Sequence, residues 1–352
     1  MQNEQVRRVA LVRGVVQGVG FRPTVHRLAA AWGIAGWVRN RSDGLEVAVE
    51  GVSAAVDGFL RDLADHPPPF ARVTGIDVRE AEPTGEGGFT ILPSLPGQGT
   101  TLCPPDLATC DDCVRELLDP VDRRFRYPFI NCTNCGPRFS AVRALPYDRP
   151  LTTMACFPMC ERCSAEYHDP TDRRYHAQPN ACPVCGPRVW LVTREGTAVA
   201  GDPVAELSAT LRRGAIAAIK GIGGFHLAAD ATDEEAVARL RGLKGRDAKP
   251  LAVMVGDLGW ARRCAQIDGR DEEALMSAAR PIVVVAAADG PLAATIAPGI
   301  GTVGLMLPYT PIHHLLFSGN KETLPPLVMT SGNLSDEPIA IGNREAMGRL
   351  AG

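Results

Sequence analysis

Eight cysteines of this 352-residue chain fall into two copies of one pattern. Cys110 and Cys113 are followed after 18 residues by Cys132 and Cys135, and Cys160 and Cys163 after 18 by Cys182 and Cys185. Two residues between cysteines let both sulfurs reach one tetrahedral ion. Each set of four therefore reads as a structural zinc site, two ions in all. The competing reading is a disulfide scaffold, which belongs to secreted domains. Against it, Met1-Gln2-Asn3-Glu4 opens no signal peptide and no apolar run reaches membrane length. Zinc is preferred, and a cytoplasmic protein with no membrane partner is expected.

The repeat extends beyond the cysteines. Asp119-Pro120-Val121-Asp122-Arg123-Arg124-Phe125 matches Asp169-Pro170-Thr171-Asp172-Arg173-Arg174-Tyr175 at an offset of fifty, and Cys135-Gly136-Pro137-Arg138 matches Cys185-Gly186-Pro187-Arg188. A module this poor in aliphatic residues cannot bury enough surface to fold alone, and metal binding supplies the missing stability. Ligation within each repeat is the default; a cross-braced pairing is the alternative. Cys103, Cys156 and Cys264 are left over and read as free thiols, although Cys156, four residues before Cys160, is placed to compete as a ligand. With four thiolates available, His168 and His176 read as surface histidines.

Charge narrows the partners. The net charge of −3 argues against a chain-wide nucleic-acid binder. Arginines 115, 123, 124, 126, 138, 143 and 149 cluster around the cysteines, with a solvated surface as the default reading. Texture divides the chain into residues 1–92, a Pro/Gly linker at 93–102, the cysteine modules at 103–190, and an Ala/Val/Leu-rich segment at 200–352. With 45% hydrophobic residues there is material for real cores. The expected class is a multidomain α/β and α+β chain.

In the first segment Val9–Val12 reads as a strand. Val25, Leu28, Ala29 and Trp32 recur at helical spacing after Pro23, and Gly36–Asn40 and Leu45–Glu50 flank a turn at Ser42-Asp43-Gly44. Ser53 is a candidate cap for a second helix, with core side Val56, Phe59, Leu60 and Leu63, and Val73–Val78 closes the order. This β-α-β-β-α-β order is the ferredoxin-like arrangement. Its chemical feature is the loop Gln17-Gly18-Val19-Gly20-Phe21-Arg22. Glycines let backbone N–H groups turn inward at the positive end of a helix, which makes an anion cradle, and Arg22 adds a phosphate grip.

The last segment carries three cation- or hydroxyl-bearing strings, two at the ends of short apolar strands and one at the end of a helix. Lys220-Gly221-Ile222-Gly223-Gly224 follows the strand Ala215–Ile219, and Thr330-Ser331-Gly332-Asn333 follows Leu327-Val328-Met329. Between them a helix introduced by Thr232-Asp233-Glu234-Glu235, a capping-box pattern, ends in Lys244-Gly245-Arg246-Asp247-Ala248-Lys249-Pro250. Leu251–Val255, Pro281–Ala286 and Val303–Leu307 read as further strands, and His226, His313 and His314 as structural histidines. The Walker pattern is absent, so a nucleotide-phosphate site and simple cations at a helix C-terminus weigh evenly.

Two strings in the first segment resemble the acylphosphatase family: Gly14-Val15-Val16-Gln17-Gly18-Val19-Gly20-Phe21-Arg22, then Gly36-Trp37-Val38-Arg39-Asn40 with Gly44. The resemblance implies that Arg22 binds phosphate and that the Asn40 amide orients the attacking water. The three strings of the last segment resemble the domain shared by threonylcarbamoyl-adenylate synthases. That implies an adenylate-forming site, with Lys220, Arg246, Lys249, Ser331 and Asn333 around the phosphates of ATP and its magnesium.

The three segments in this order resemble the hydrogenase maturation carbamoyltransferase family. The resemblance implies hydrolysis of carbamoyl phosphate, movement of the carbamate along an enclosed route, and formation of carbamoyl adenylate from ATP. The carbamoyl group then passes to a C-terminal cysteine of a hydrogenase maturation partner, toward the cyanide ligands of nickel–iron hydrogenases. The transferase domain of the family is expected to be lacking here, and a truncated adenylating segment is one reading of where the sequence stops. Two rivals remain. One is a tRNA-modification enzyme of the threonylcarbamoyl type. The other is a non-catalytic zinc scaffold.

Overall fold

Two strand–helix–strand units followed by a fifth strand make the first sheet: β1 (Gln5–Val15), α1 (Phe21–Trp32), β2 (Ala35–Arg41), β3 (Gly44–Val52), α2 (Ser53–Asp65), β4 (Arg72–Ala81) and β5 (Phe89–Ile91). The protein is described by a computed structural model covering residues 4–95, 97, 101–246, 248–319, 324–334 and 337–351. The sheet order is β4-β1-β3-β2-β5. Its first four strands pair antiparallel, as a ferredoxin-like order requires, and β5 adds in parallel to β2. Strand β1 is longer than its apolar run. The register shifts between Arg13 and Gly14, where an added Cβ would lie 1.9 Å from the Arg72 carbonyl oxygen, so only glycine lets β4 approach. The linker expected at 93–102 lies partly outside the described residues. Among those described, Leu95 N–H donates to the Asn40 carbonyl at 2.9 Å, so the chain continues alongside β2.

Both helices cover one face of this sheet. Val25 and Ala29 of α1 and Val56, Phe59 and Leu63 of α2 pack on Ala10, Val12, Val38, Leu45, Val47 and Val49. Burying each large apolar side chain contributes roughly 1.5–3 kcal/mol. Trp32 departs from the expected core face. It is 37% exposed, its ring lies over Gly58, and its Nε1 donates to Asp62 at 2.8 Å. Ser53 does not cap α2: Val52 holds the cap position and Ser53 is already the first helical residue, so its hydroxyl has no cap geometry to use.

By its contacts the chain divides into two compact units, Met1–Asp106 with Asn131–Gly186 and Leu107–Ile130 with Pro187–Gly352. The cysteine modules contain two short helices, α3 (Asp111–Leu118) and α4 (Glu161–His168). The second unit is built on a mixed sheet. Its strands are β6 (Ala217–Lys220), β7 (Phe225–Asp230), β8 (Val253–Met254), β9 (Val283–Ala286), β10 (Thr302–Met306) and β11 (Leu327–Ser331), in the order β6-β7-β11-β8-β10-β9. Among the described residues β8 and β10 pair in parallel and the other neighbouring strands of this sheet pair antiparallel. Helices α5 (Pro203–Arg212) and α6 (Glu234–Lys244) precede and follow the β6–β7 hairpin. The cap of α6 is Asp233, which accepts from the N–H groups of Glu235 and Ala236. Thr232 is not the cap, because its hydroxyl is turned to Asp230 at 2.7 Å.

Candidate functional site

In the first unit, the loop between β1 and α1 lines a small pocket open to solvent. Gly18 and Gly20 have φ of +68° and +78°, a region that glycine alone enters freely. Packing reinforces the requirement: an added Cβ would meet Pro104 at 2.8 Å from Gly18 and Thr133 at 2.9 Å from Gly20. Gly20 is the cap residue of α1 and offers no side chain, so the first N–H groups of the helix are left for a ligand. Val19 turns into the core and does not line the cavity; Phe21 belongs to both.

Arg22 and Asn40 meet at this cavity. Arg22 is 8% exposed and Asn40 1%. Arg22 Nη2 pairs with the Asp148 carboxylate at 2.9 Å and donates to the Tyr147 carbonyl at 3.4 Å. Asn40 Nδ2 donates to the same carbonyl at 3.5 Å, and its Oδ1 is buried without a partner. Gln17 has a structural part here. Its Nε2 donates to the carbonyls of Arg41 and Gly44 at 2.6 and 2.9 Å, and its Oε1 accepts from Tyr147 N–H at 3.0 Å. Its side chain is thereby spent on the hairpin and the covering segment.

The cavity wall includes Thr133, Arg138, Tyr147, His176 and Gln178, which sequence reading did not assign to it. Arg138 is 2% exposed and donates to the carbonyls of Gly18, Cys132, Thr133, Cys135 and Pro137. Its charge therefore ties the glycine loop to the cysteine module rather than standing open to a ligand. His176 is not the surface residue expected: it is half-buried, with Nδ1 enclosed and unpartnered. Burial, and then the positive charge of Arg22, hold His176 down at about 3, so its ring is neutral near pH 7. His168 is exposed, as expected.

The eight paired cysteines assemble as two groups of four, Cys110, Cys113, Cys132 and Cys135 in one and Cys160, Cys163, Cys182 and Cys185 in the other. The sulfurs of each group lie within 4.8 Å of one another. In the second group Cys182 is 3.8 Å from both Cys160 and Cys185, and Cys163 is 3.6 Å from Cys185. Tetrahedral thiolates around zinc at about 2.3 Å have edges of about 3.8 Å, so the donor set fits that ion. Burial raises the Cys182 thiol. The N–H groups of Val184 and Cys185 and the neighbouring sulfurs outweigh it and hold the thiol down at about 6. Cys156 is exposed, donates to the Thr153 carbonyl at 3.3 Å and belongs to neither group.

The second unit places its cations less uniformly. Strand register aligns Ile219, His226 and Ser331 in one row across β6, β7 and β11, so Lys220 and the Ser331 loop share a sheet end. Lys220 donates to Asn343 at 2.8 Å and lies over the Phe225 ring. Ser331 donates to Asn333 at 2.6 Å. Lys244 was missed as a site residue although it stands first in its motif. It is 3% exposed and donates to the carbonyls of Ser331 and Asn333 at 2.5 and 2.7 Å. Burial and the nearby Arg246 hold its ammonium down at about 8. Arg246 donates to the Pro250 carbonyl at 2.9 Å, and Lys249 is exposed, so no hydrogen bond described here brings either against Ser331 or Asn333. His313 is fully buried and faces the Tyr309 ring at 4.6 Å, consistent with a structural role.

Fold and site define a protein that carries an acylphosphatase-like sheet with a glycine-loop pocket, paired four-cysteine modules and a mixed α/β domain in one chain. Residues 8–91 match the acylphosphatase family, 109–142 and 159–192 the HypF finger, and 209–352 the family described as telomere recombination, that of Sua5, YciO and YrdC. The carbamoyltransferase HypF of Rhizobium leguminosarum bv. viciae is 52% identical over 350 residues, 98% of this chain and 44% of the relative. A crystal structure of full-length HypF in a phosphate- and nucleotide-bound form superposes with a TM-score of 0.94 at 46% identity, over 99% of this chain and 46% of that one. The acylphosphatase of Methylococcus capsulatus is 49% identical over 77 residues, 22% of this chain and 83% of that protein. The chain belongs to the HypF carbamoyltransferase family, the family its motifs resembled. It spans less than half the length of the HypF relatives it matches. Among the described residues no helix is long and apolar enough to cross a membrane.

Proposed function

We propose that the chain hydrolyses carbamoyl phosphate in the pocket of the first unit and joins the resulting carbamate to ATP in the second. One observation carries the first step: Arg22 and Asn40, eighteen residues apart, stand together at a glycine-lined helix N-terminus. The loop N–H groups and Arg22 hold the phosphoryl oxygens. Asn40 Oδ1, a buried acceptor without a partner, takes a hydrogen bond from the attacking water. Positioning and charge stabilisation then do the catalysis, with no protein nucleophile. Water adds to phosphorus, the bond from phosphorus to the carbamate oxygen breaks, and carbamate and phosphate leave.

In the second unit Lys220, Arg246, Lys249, Ser331 and Asn333, with Lys244 added by its contacts, form the phosphate-binding region for ATP and magnesium. Carbamate attacks the α-phosphorus, and carbamoyl adenylate and pyrophosphate form. The carbamoyl group goes on to a C-terminal cysteine of a hydrogenase maturation partner. Zinc fills both cysteine groups as a structural ion, and the protein works in the cytoplasm. The names of the HypF relatives and their phosphate- and nucleotide-bound structure support this reading.

The test is exchange of pyrophosphate into ATP that depends on carbamoyl phosphate. Arg22→Ala is expected to lose acyl phosphate hydrolysis and exchange together, because the second step needs the product of the first. Asn40→Ala is expected to cost turnover more than binding. Lys220→Ala is expected to keep hydrolysis and lose exchange. Exchange that runs on threonine and bicarbonate but not on carbamoyl phosphate would replace this reading with the tRNA-modification one.

A further inference from the structure

The segment Tyr147-Asp148 lies 125 residues beyond Arg22 in sequence and belongs to the cysteine-module part of the first unit. Its groups touch three members of the anion pocket. Tyr147 N–H bonds Gln17, the Tyr147 carbonyl accepts from both Arg22 and Asn40, and the Asp148 carboxylate pairs with Arg22. Among the described residues Asp148 is the one carboxylate paired with Arg22. Both contacts use Nη2, so Nη1 and Nε have no hydrogen bond described and remain for a ligand. The Asp148 side chain is 22% exposed and that of Arg22 9%, so little water screens the pair.

We infer that Asp148 is a positioning residue for the anion pocket: it holds the Arg22 guanidinium in place and sets the net charge that the pocket presents to a phosphoryl group. The inference rests on the reading of this pocket as an acyl phosphate site. Two consequences follow from one carboxylate. A guanidinium already tethered loses less side-chain freedom when substrate arrives, which favours turnover. A negative charge beside Arg22 also repels phosphate, so the product is held less tightly and leaves. An acyl phosphate pocket that bound phosphate with the full charge of Arg22 would be slowed by its own product.

The two consequences separate in Asp148→Asn, which keeps an oxygen acceptor for Arg22 and removes the charge. In the 352-residue chain, inorganic phosphate is expected to bind about 3- to 10-fold more tightly by titration calorimetry. The kcat for carbamoyl phosphate or acetyl phosphate is expected to fall about tenfold, with Tm nearly unchanged. Asp148→Glu is expected to recover part of kcat and to restore weak phosphate binding. A strut without an electrostatic part would weaken phosphate binding, raise KM and lower Tm together in Asp148→Asn, and that pattern overturns the inference. Phosphate affinity and kcat both within twofold of the unsubstituted chain overturn it as well. An unsubstituted chain that binds phosphate but turns over neither acyl phosphate removes the acyl phosphate reading. In that case the calorimetric arm still decides the charge effect of Asp148.

Discussion

The two cysteine modules repeat one sequence at an offset of fifty residues, and comparing them separates what the repeat preserves from what it leaves to its surroundings. Inside, they agree in detail. Each first cysteine is the cap residue of a short helix, Cys110 for α3 and Cys160 for α4. Asp122 and Asp172 each accept from the N–H two residues on at 2.7 Å, and Arg124 and Arg174 are both buried. Arg126 and His176 occupy the same left-handed backbone position, with φ of 55° and 54°. Facing outward, they diverge. Arg126 pairs with Asp202 at 3.0 Å, whereas His176 lines the glycine-loop pocket. Arg138 is buried against the glycine loop, whereas its counterpart Arg188 is exposed. A duplicated scaffold thus kept its folding positions and acquired different tasks at its surface-directed ones.

The largest expected effect would erase the comparison. Chelation, or Cys182→Ser in one module and Cys132→Ser in the other, is expected to cost solubility and order in either copy alike. Thiolate ligation supplies about 10 kcal/mol or more of apparent free energy at such sites. Elemental analysis is expected to find two zinc ions per chain, each serine variant losing one; a single zinc in the unsubstituted chain would refute the equivalence of the copies.

Next come the paired arginines. Arg138→Ala leaves five carbonyl acceptors without their donor and is expected to destabilise by about 3 kcal/mol or more. Arg188→Ala, at an exposed position, is expected to stay within about 0.5 kcal/mol. Denaturant unfolding of both variants measures the contrast, and equal losses would mean that burial does not distinguish the copies.

The left-handed pair follows. His176→Phe keeps a ring and removes the nitrogens that face the pocket. It is expected to raise KM for an acyl phosphate several-fold. Arg126→Ala, which loses a partly exposed ion pair, is expected to leave that KM alone and to change stability by under about 1 kcal/mol. Steady-state kinetics on the two variants decides whether position 176 acquired a role that position 126 lacks.

The smallest effect is a pH slope. The folded state holds His176 down at about 3, against 6.5 for a free imidazole, so the unfolded chain binds the extra proton first. Stability contributed at this position is therefore complete above about pH 6.5 and declines as pH falls toward 3. The unfolding free energy of His176→Phe is expected to fall less steeply between pH 6.5 and 5 than that of the unsubstituted chain, and an unchanged slope would contradict the buried neutral ring.

Much of the fold was legible because its signals are local. Alternating and helical periodicities between Val9 and Val78 mark the ferredoxin-like order, and the strands of the second unit appear as short apolar runs. Errors fell at edges and caps. Ser53 and Thr232 have cap chemistry, but the backbone places Val52 and Asp233 at the cap positions. Trp32 fits the helical stripe and yet lies at the rim, where Asp62 accepts its N–H.

Spacing marked the eight cysteines as ligands, because a CxxC pair constrains its own geometry over four residues, but it left within-repeat and cross-braced grouping both open, and the folded chain gathers them within each repeat. The glycine loop likewise announces itself, since Gly18 and Gly20 adopt backbone angles that other residues resist. What the sequence could not state is which groups close over that loop. Tyr147, Asp148, His176 and Arg138 reach the pocket through packing between segments more than a hundred residues apart, and no periodicity or spacing records such a meeting. The same holds for Lys244, whose burial against Ser331 and Asn333 depends on the last residue of α6 reaching the end of β11. Local order follows from backbone preference and short-range spacing, which each residue carries with it. The charge and the acceptors of a pocket are properties of neighbours, and only the folded chain selects them.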